Sequence, residues 1–217
     1  MLEKKNFYIN GSWVAPKIPN DIEVINPATE KSCAVISLAS KDDVNDAVLS
    51  AKEAFKTWGF STKEDRVALL ETFYTLYKKR WNDITDAIIQ EMGAPKDFAS
   101  KLQTGTGASH TKSFIKYLKE FEFERPLGDH AKDQRILYEP KGVCALITPW
   151  NWPMNQVCLK VIPALAAGCT MVLKPSELAP LSAIILAELI DEAKFPNGVF
   201  NLVNGDGATT GDALTSH

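Results

Sequence analysis

The chain has 217 residues, of which 45% are hydrophobic and 24% are charged, and its formal net charge is −3. This length allows a sizeable core, and the mild negative charge argues against nucleic acid or an anionic membrane as the main partner. Since no apolar run is long enough to cross a bilayer and no secretory signal follows Met1, we expect a soluble, cytoplasmic protein without a membrane partner.

The first part of the chain predicts short strands and turns. Residues 7–9, 13–14 and 23–25 are rich in β-forming side chains, and Asn10-Gly11 is a turn signal between the first two runs. We expect these runs to form short strands ahead of the helices.

Helices are expected from residue 41 to about residue 124. Ser40-x-x-Asp43 and Thr62-x-x-Asp65 have the pattern of capping boxes, so each predicts the start of a helix, and the first helix should end at Gly59. Two further helices are expected over residues 83–92, ended by Gly93, and over residues 95–124, weakened by Gly105 and Gly107.

The sequence changes character after residue 125. A turn signal at Gly128-Asp129 predicts a hairpin over residues 126–140. Beyond it, apolar strands at 143–148, 170–173 and 199–203 alternate with helices at 153–167 and 181–193. Continuous apolar strands joined by helices indicate an α/β fold, in which a parallel sheet is covered on both faces as half of a doubly wound nucleotide-binding sheet.

Polar residues follow the first two strands of this sheet. The segment Thr148-Pro149-Trp150-Asn151-Trp152-Pro153 comes directly after the first strand, and Lys174-Pro175-Ser176-Glu177 comes after the second. Ligands of such sheets bind at the carboxyl ends of the strands, and proline stiffens each turn. Either segment alone fits a structural turn as well as a site, but two segments at matching positions favour a site.

The cysteines and histidines indicate neither disulfides nor a metal centre. Cys33, Cys144, Cys158 and Cys169 form no C-x-x-C pair, and most lie among apolar residues, which is typical of reduced core thiols. The three histidines are far apart and lack metal-ligand spacing. We expect no metal ion.

The order of several motifs resembles the NAD(P)-dependent aldehyde dehydrogenase superfamily. Besides the two polar segments, the motifs are Ile9-Asn10-Gly11-Ser12-Trp13-Val14, Asn26-Pro27-Ala28-Thr29, Glu91-Met92-Gly93-Ala94-Pro95, the run 163–169, Pro180-Leu181, the run 196–201 and Gly205-Asp206-Gly207. They cover essentially the whole chain. The resemblance implies a partial Rossmann-like, dinucleotide-binding domain over 1–125 and 141–217, with 126–140 as a β-hairpin arm for oligomerisation.

The resemblance also assigns catalytic and substrate roles. Asn151 corresponds to the family's oxyanion-hole asparagine, whose amide faces the oxygen that becomes negative when a thiolate attacks the aldehyde. Lys160 corresponds to a proton-relay lysine. A helix cap is the alternative role for Asn151, and a surface lysine is the alternative for Lys160. Trp152, Gln156 and Leu159 correspond to substrate-lining positions, and the polar Gln156 favours a substrate with a polar group.

The same resemblance implies a nicotinamide cofactor. Lys174 and Glu177 correspond to residues that hold the adenosine ribose, and the other cofactor-binding positions are Thr148, Pro149, Trp150, Asn151, Ser176 and Gly207. A carboxylate at Glu177 opposes a 2′-phosphate whereas Lys174 attracts one, so NAD is favoured and NADP is the alternative. Gly205, Gly207 and Gly211 lack the spacing of G-x-G-x-x-G, and we expect them to be turn and helix-start residues.

The residues of the covalent chemistry are expected outside this sequence. The family's nucleophilic cysteine and general-base glutamate have no counterpart here, so we expect the catalytic domain to be absent and the chain, an amino-terminal part of a longer parent, to be inactive alone. The parent is expected to oxidise an aldehyde to a carboxylic acid through a thiohemiacetal, as a homodimer or homotetramer.

Two other interpretations stay open. The first is a cofactor- or partner-binding module of the same fold without catalysis. The second is an unrelated Rossmann dehydrogenase, which is disfavoured because its glycine turn follows a later strand rather than the first.

Overall fold

The computed structural model describes residues 1–131 and 133–217. The elements in chain order are β1 Leu2–Lys4, β2 Phe7–Ile9, β3 Ser12–Val14, β4 Asp21–Asn26, β5 Lys31–Ser37, α1 Lys41–Trp58, α2 Lys63–Lys79, α3 Trp81–Met92, α4 Lys96–Phe98, a first π-helical segment Ala99–Thr104, α5 Gly105–Glu120, β6 Glu124–Pro126, β7 Arg135–Leu137, β8 Val143–Ile147, α6 Pro153–Ala166, β9 Thr170–Lys174, α7 Leu181–Glu192, β10 Phe200–Leu202, a second π-helical segment Gly207–Gly211 and α8 Asp212–Thr215. The predicted α/β class is confirmed.

Helices α1 and α2 begin where the two capping boxes predict. The Ser40 hydroxyl accepts a hydrogen bond from the Asp43 amide, and the Asp43 carboxylate accepts one from the Ser40 amide. Thr62 and Asp65 repeat this exchange at the start of α2. Each capping box provides hydrogen-bond acceptors for backbone amides that would otherwise lack partners in the first helical turn. The starts of α1 and α2 could therefore be predicted from these short motifs.

The predicted long helix over 95–124 is interrupted. It consists of α4, the first π-helical segment and α5. Gly105 and Gly107 lie at the start of α5, and a side chain at Gly107 would overlap the Tyr77 hydroxyl and come within 3.2 Å of Cys158 Sγ. Gly107 is therefore required because α2 and α6 pack closely against α5.

The main sheet has five strands in the order β3-β2-β10-β9-β8. Strands β8, β9 and β10 are parallel, as predicted, but β2 pairs antiparallel with β10 and carries β3 with it. The predicted parallel sheet of β8, β9 and β10 is therefore confirmed, and the amino-terminal hairpin, whose pairing with it the sequence did not predict, completes the edge next to β10.

Helices cover the main sheet on both faces. Apolar residues of α1 and α8 pack on one face with Val172 and Val203, while α2, α3, α5, α6 and α7 pack on the other with Met171 and Leu173. The covering is incomplete over β8, where Ile147 is exposed. A separate three-stranded sheet, in the order β1-β5-β4, lies beside this core and includes two strands, β1 and β5, that the sequence did not predict.

The predicted hairpin is present between β6 and β7. The strands pair antiparallel, with Glu124 opposite Leu137 and Pro126 opposite Arg135. The first strand thus starts at Glu124 rather than at Pro126. Residue 132 of the predicted 126–140 hairpin lies outside the described residues.

None of the helices that the structure describes has the length and apolar character needed to cross a membrane.

A buried carboxylate fixes the start of α7. Glu91, at the end of α3, is 4% exposed and accepts hydrogen bonds from the Leu181 amide at 2.5 Å and from the Ser182 hydroxyl at 2.6 Å. These donors belong to the first turn of α7, where amides otherwise lack partners. Burial raises the pKa of Glu91 to about 7.

This pKa predicts an unusual pH dependence of stability. The folded state holds the Glu91 proton up to about pH 7, whereas the unfolded chain releases it near the ordinary value of 4.5. The free energy of unfolding should therefore fall by up to about 3 kcal/mol as the pH rises between these values and level off above them. Urea titrations across this range should show the fall, and Glu91→Gln should remove it. The exposed Glu120→Gln is the matched control, and an unchanged slope in Glu91→Gln would contradict the assignment.

Candidate functional site

The two predicted polar segments begin side by side at one edge of the main sheet. In the register of β8 and β9, Ile147 lies opposite Lys174, and the Thr148 amide donates to the Lys174 carbonyl at 3.1 Å. Because β10 is the next parallel strand, the turn that starts at Asn204 leaves the same edge. Three loops thus meet where ligands of parallel sheets bind.

Lys174 is buried and fixed in this edge. Its side chain is 3% exposed, and Nζ donates to the Gly205 carbonyl at 2.6 Å and to the Pro175 carbonyl at 3.0 Å, with Glu177 Oε2 3.7 Å away. Burial lowers the pKa of Lys174, and the negative charges of Glu177 and Asp206 oppose this change. The result is an ammonium group held between β9 and the turn after β10.

Glu177 and Trp150 connect the two polar segments. Both line a cavity of about 400 Å³, together with Pro27 and Leu178. The Ser176 hydroxyl accepts from the Leu178 amide at 3.2 Å and so holds the turn that carries Glu177. The Glu177 side chain is one-third exposed, so its carboxylate is available to a ligand.

The glycine-rich turn after β10 starts a helical segment, as the sequence predicted. The Asp206 carboxylate accepts from the Thr209 amide at 2.7 Å and caps the second π-helical segment. Gly211 packs against the aliphatic part of Lys174, whereas a side chain at Gly207 would meet no neighbour within 4 Å. Gly207 therefore borders open space close to the Lys174 ammonium.

Asn151 does not cap α6. The residue that precedes the helix is Trp152, Pro153 occupies the first helical turn, and no side chain accepts from the first amides. The helix-cap alternative for Asn151 is therefore wrong. Asn151 is exposed, as are Pro149 and Trp150, so its amide is available to a ligand beside the end of β8.

The remaining predicted site residues lie along α6. Lys160 Nζ donates to Gln156 Oε1 at 3.3 Å, and both side chains are half-buried. Leu159 is exposed. Trp152 is half-buried and packs edge-on against Phe98, with 5.4 Å between ring centroids. Lys160 is therefore only partly exposed to solvent. Its role as a proton-relay residue stays a prediction.

Sequence reasoning missed a buried amide next to this site. Asn204 is fully buried, and neither its Oδ1 nor its Nδ2 has a hydrogen-bond partner in the described part of the chain. An unpaired buried amide is costly, so it suggests a position where a ligand or solvent group belongs. The only available signal was its place directly before Gly205-Asp206-Gly207.

The four cysteines are free and are unsuited to attack a ligand at Asn151. Burial raises the pKa of Cys158 to about 12 and also raises that of Cys33. The neighbouring Cys144 thiol lowers the pKa of Cys169 and has its own pKa raised in return. However, Cys144 lies about 10 Å of strand length before the carboxyl end of β8, and Cys169, just ahead of β9, lies about 17 Å before the carboxyl end of that strand. Within the described ranges, no group of three or more His, Cys, Asp or Glu side chains is placed to hold a metal ion.

Comparisons with known proteins show the family that this chain is similar to. A family model described as the aldehyde dehydrogenase family matches residues 13–217. A curated 3-succinoylsemialdehyde-pyridine dehydrogenase from a Pseudomonas species is 49% identical over 100% of this chain and 45% of its own length. Among solved structures, an aldehyde dehydrogenase from Bartonella henselae superposes with a TM-score of 0.98 at 54% identity, over 100% of this chain and 46% of that one.

A second solved structure contains ligands. It is a variant of aldehyde dehydrogenase C from Pseudomonas syringae in complex with NAD+ and octanal, with a TM-score of 0.94 and 44% identity over 98% of this chain and 43% of that one. The chain thus spans less than half the length of each of these relatives.

Proposed function

The chain belongs to the aldehyde dehydrogenase family, and on that premise we propose that it supplies the cofactor cleft and an oxyanion donor of an enzyme that oxidises an aldehyde to a carboxylic acid with NAD. The observation that carries the proposal is the meeting of the Asn151 turn and the Lys174–Glu177 turn at one sheet edge. The complex of the Pseudomonas syringae relative with NAD+ and octanal supports the same pairing of cofactor and substrate.

The residues at this edge fit a dinucleotide. The Lys174 ammonium and the Glu177 carboxylate can together bind the two hydroxyls of a ribose through charge-assisted hydrogen bonds. The open space at Gly207 leaves room beside them. When bound, the nicotinamide supplies hydride acceptance.

Asn151 and Lys160 are the residues that this chain contributes to the reaction. The Asn151 amide N–H group donates to the aldehyde oxygen as that oxygen gains negative charge, which favours the transition state over the ground state. Lys160 Nζ, hydrogen-bonded to Gln156, moves protons to and from the site. Trp152 and Leu159 form an apolar wall that keeps water from the reacting carbon.

The attacking thiol and the general base lie, in this proposal, outside the 217 residues. Cys144 and Cys169 lie towards the amino ends of β8 and β9, burial raises the pKa of Cys33 and Cys158, and the relatives are more than twice as long as this chain. Residues 1–125 and 141–217 form part of the dinucleotide-binding domain, and the hairpin around β6 and β7 joins subunits of a homodimer or homotetramer. Sedimentation of the native enzyme as a monomer at micromolar concentration would contradict the subunit assignment.

Glu177 should set the choice between NAD and NADP. A 2′-phosphate next to a carboxylate meets electrostatic repulsion, which the one-third exposure of Glu177 weakens by solvent screening. Glu177→Gln should therefore shift the ratio of NADP to NAD affinity about tenfold towards NADP. Calorimetric titration of both cofactors measures the ratio, with the exposed Glu192→Gln as control. A ratio that does not move would contradict the placement of Glu177 at the ribose.

The reaction itself is tested on the native enzyme. Incubation with NAD and a series of aldehydes should give reduced cofactor and the matching carboxylic acid in equal amounts, identified by absorbance and mass spectrometry. NAD binding without acid formation would instead favour a non-catalytic cofactor-binding module.

A further inference from the structure

Two sequence motifs meet at the cavity that Glu177 lines. The cavity of about 400 Å³ is also lined by Glu91, at the end of α3, and by Pro27, in the turn between β4 and β5. Glu91 belongs to the motif at 91–95 and Pro27 to the motif at 26–29, and neither motif has a part in the proposed chemistry. Both therefore lie next to the turn that carries Glu177 without a role in the reaction.

The end of α3 is seated on the turn between β4 and β5. Gly93 ends α3 in the left-handed conformation, with a φ of +64°. A side chain at Gly93 would come within 3.0 Å of Pro27 Cγ and 3.1 Å of the Ala28 amide nitrogen. Glycine permits both the left-handed backbone and this close approach. The turn thus holds the end of α3, and Glu91 with it, in place.

Glu91 connects this fixed helix end to the start of α7. Its Oε2 accepts from the Leu181 amide at 2.5 Å, and its Oε1 accepts from the Ser182 hydroxyl at 2.6 Å and from the Ser182 amide at 3.3 Å. Hydrogen bonds to a charged acceptor are stronger than those between neutral groups, and a carboxylate is favoured at a helix amino terminus. The first turn of α7 is therefore tied to α3.

The segment between β9 and α7 is consequently held at both ends. At one end, the Lys174 ammonium donates to two backbone carbonyls, at 2.6 and 3.0 Å. At the other end, Glu91 binds the first amides of α7. Only six residues, 175–180, lie between these anchors, and all but Glu177 and Leu178 are buried. Loss of the Glu91 anchor would leave the Glu177 carboxylate fixed from one side only.

We propose that Glu91 is a positioning residue for the cofactor, which holds the Glu177 carboxylate at the adenosine ribose by tying the start of α7 to the end of α3. Because Glu91 is 4% exposed and its oxygens are bonded to α7, it acts through Glu177 rather than on the cofactor itself. This inference rests on the proposed function and adds a residue that sets cofactor affinity.

The first test measures cofactor affinity in the native enzyme. Glu91→Ala should raise Kd and KM for NAD about tenfold and leave kcat unchanged, because only the ribose contact is weakened. Glu91→Gln should restore most of the affinity, since its amide oxygen still accepts from Leu181. Gly93→Ala, which displaces the end of α3, should lower the affinity as Glu91→Ala does. Nicotinamide mononucleotide lacks the adenosine ribose, so its affinity should be equal in all these proteins.

A double-mutant cycle separates positioning from a general loss of stability. If Glu91 acts through Glu177, Glu91→Ala should weaken NAD binding about tenfold in the native background but less than about twofold in the Glu177→Ala background. The control is Thr85→Val on α3, which removes a buried 3.0 Å hydrogen bond to Thr104. It should lower the urea stability and leave the NAD affinity unchanged.

Ser182→Ala keeps the test decisive if Glu91→Ala fails to fold. This variant deletes only the hydroxyl donor to Glu91, so NAD binding should weaken about two- to threefold with nicotinamide mononucleotide unaffected. Independent effects of Glu91 and Glu177 in the cycle, equal losses for the two ligands, or an unchanged NAD affinity in Ser182→Ala overturn the proposal and leave the cofactor cleft in place. Failure of the unmodified enzyme to bind NAD would instead remove the proposed function.

Discussion

Asn151→Ala is expected to lower kcat of the native enzyme by about 10²–10³, the usual effect of removing one oxyanion donor. Because the Asn151 side chain is exposed and does not cap α6, its loss should not destabilise the start of that helix. Since the lost hydrogen bond forms mainly in the transition state, kcat and kcat/KM should fall together. Steady-state kinetics with a saturating aldehyde measures both.

Two further variants separate this role from a structural one. Asn151→Asp keeps the shape of the side chain but replaces the N–H donor by a second oxygen, so it should be at least as slow as Asn151→Ala. Asn82→Ala, at an exposed position on α3, should retain full activity. A rise in KM alone in Asn151→Ala would mean that the amide serves binding rather than the transition state, contrary to the proposal.

Lys174→Met is expected to weaken NAD binding by about 10–100-fold. The substitution keeps the buried aliphatic stem against Gly211 but removes the ammonium that Gly205 and Glu177 hold in place. Hydrogen bonds from a charged donor contribute about 1.5–3 kcal/mol, and a tenfold change in affinity corresponds to about 1.4 kcal/mol. Calorimetric titration with NAD gives the affinity directly.

The control for Lys174→Met is a ligand rather than a residue. Nicotinamide mononucleotide lacks the adenosine ribose, so its affinity should be the same in the variant and the unmodified protein. Because the Gly205 and Pro175 carbonyls also lose their donor, urea unfolding should be measured alongside and should show a lower stability. Equal losses for both ligands would point to a disturbed fold and against a ribose contact.

Local sequence signals predicted much of this fold. The capping boxes at Ser40 and Thr62 give the starts of α1 and α2 because their hydrogen bonds involve residues within one helical turn. The alternation of apolar strands and helices gave β8, α6, β9 and α7, because a parallel sheet needs such crossovers. The two polar segments fell at one sheet edge for the same reason, since neighbouring parallel strands end together.

Features that depend on distant parts of the chain were not predictable from the sequence. The pairing of Leu202 with Tyr8, which makes the main sheet mixed, joins residues near opposite ends of the chain. The Glu91 carboxylate appeared only as part of a motif, and its role at the start of α7 requires the packing of α3 on α7. The burial of Asn204 likewise depends on the tertiary fold rather than on its neighbours in sequence.

A crystal structure of the protein grown with NAD is the measurement that most directly tests whether the two turns form one cofactor cleft. The adenosine ribose should lie within hydrogen-bond distance of both Lys174 Nζ and the Glu177 carboxylate, with the nicotinamide ring extending towards Asn151. Electron density for the dinucleotide on another face of the molecule, with Asn151 pointing away from it, would contradict the account.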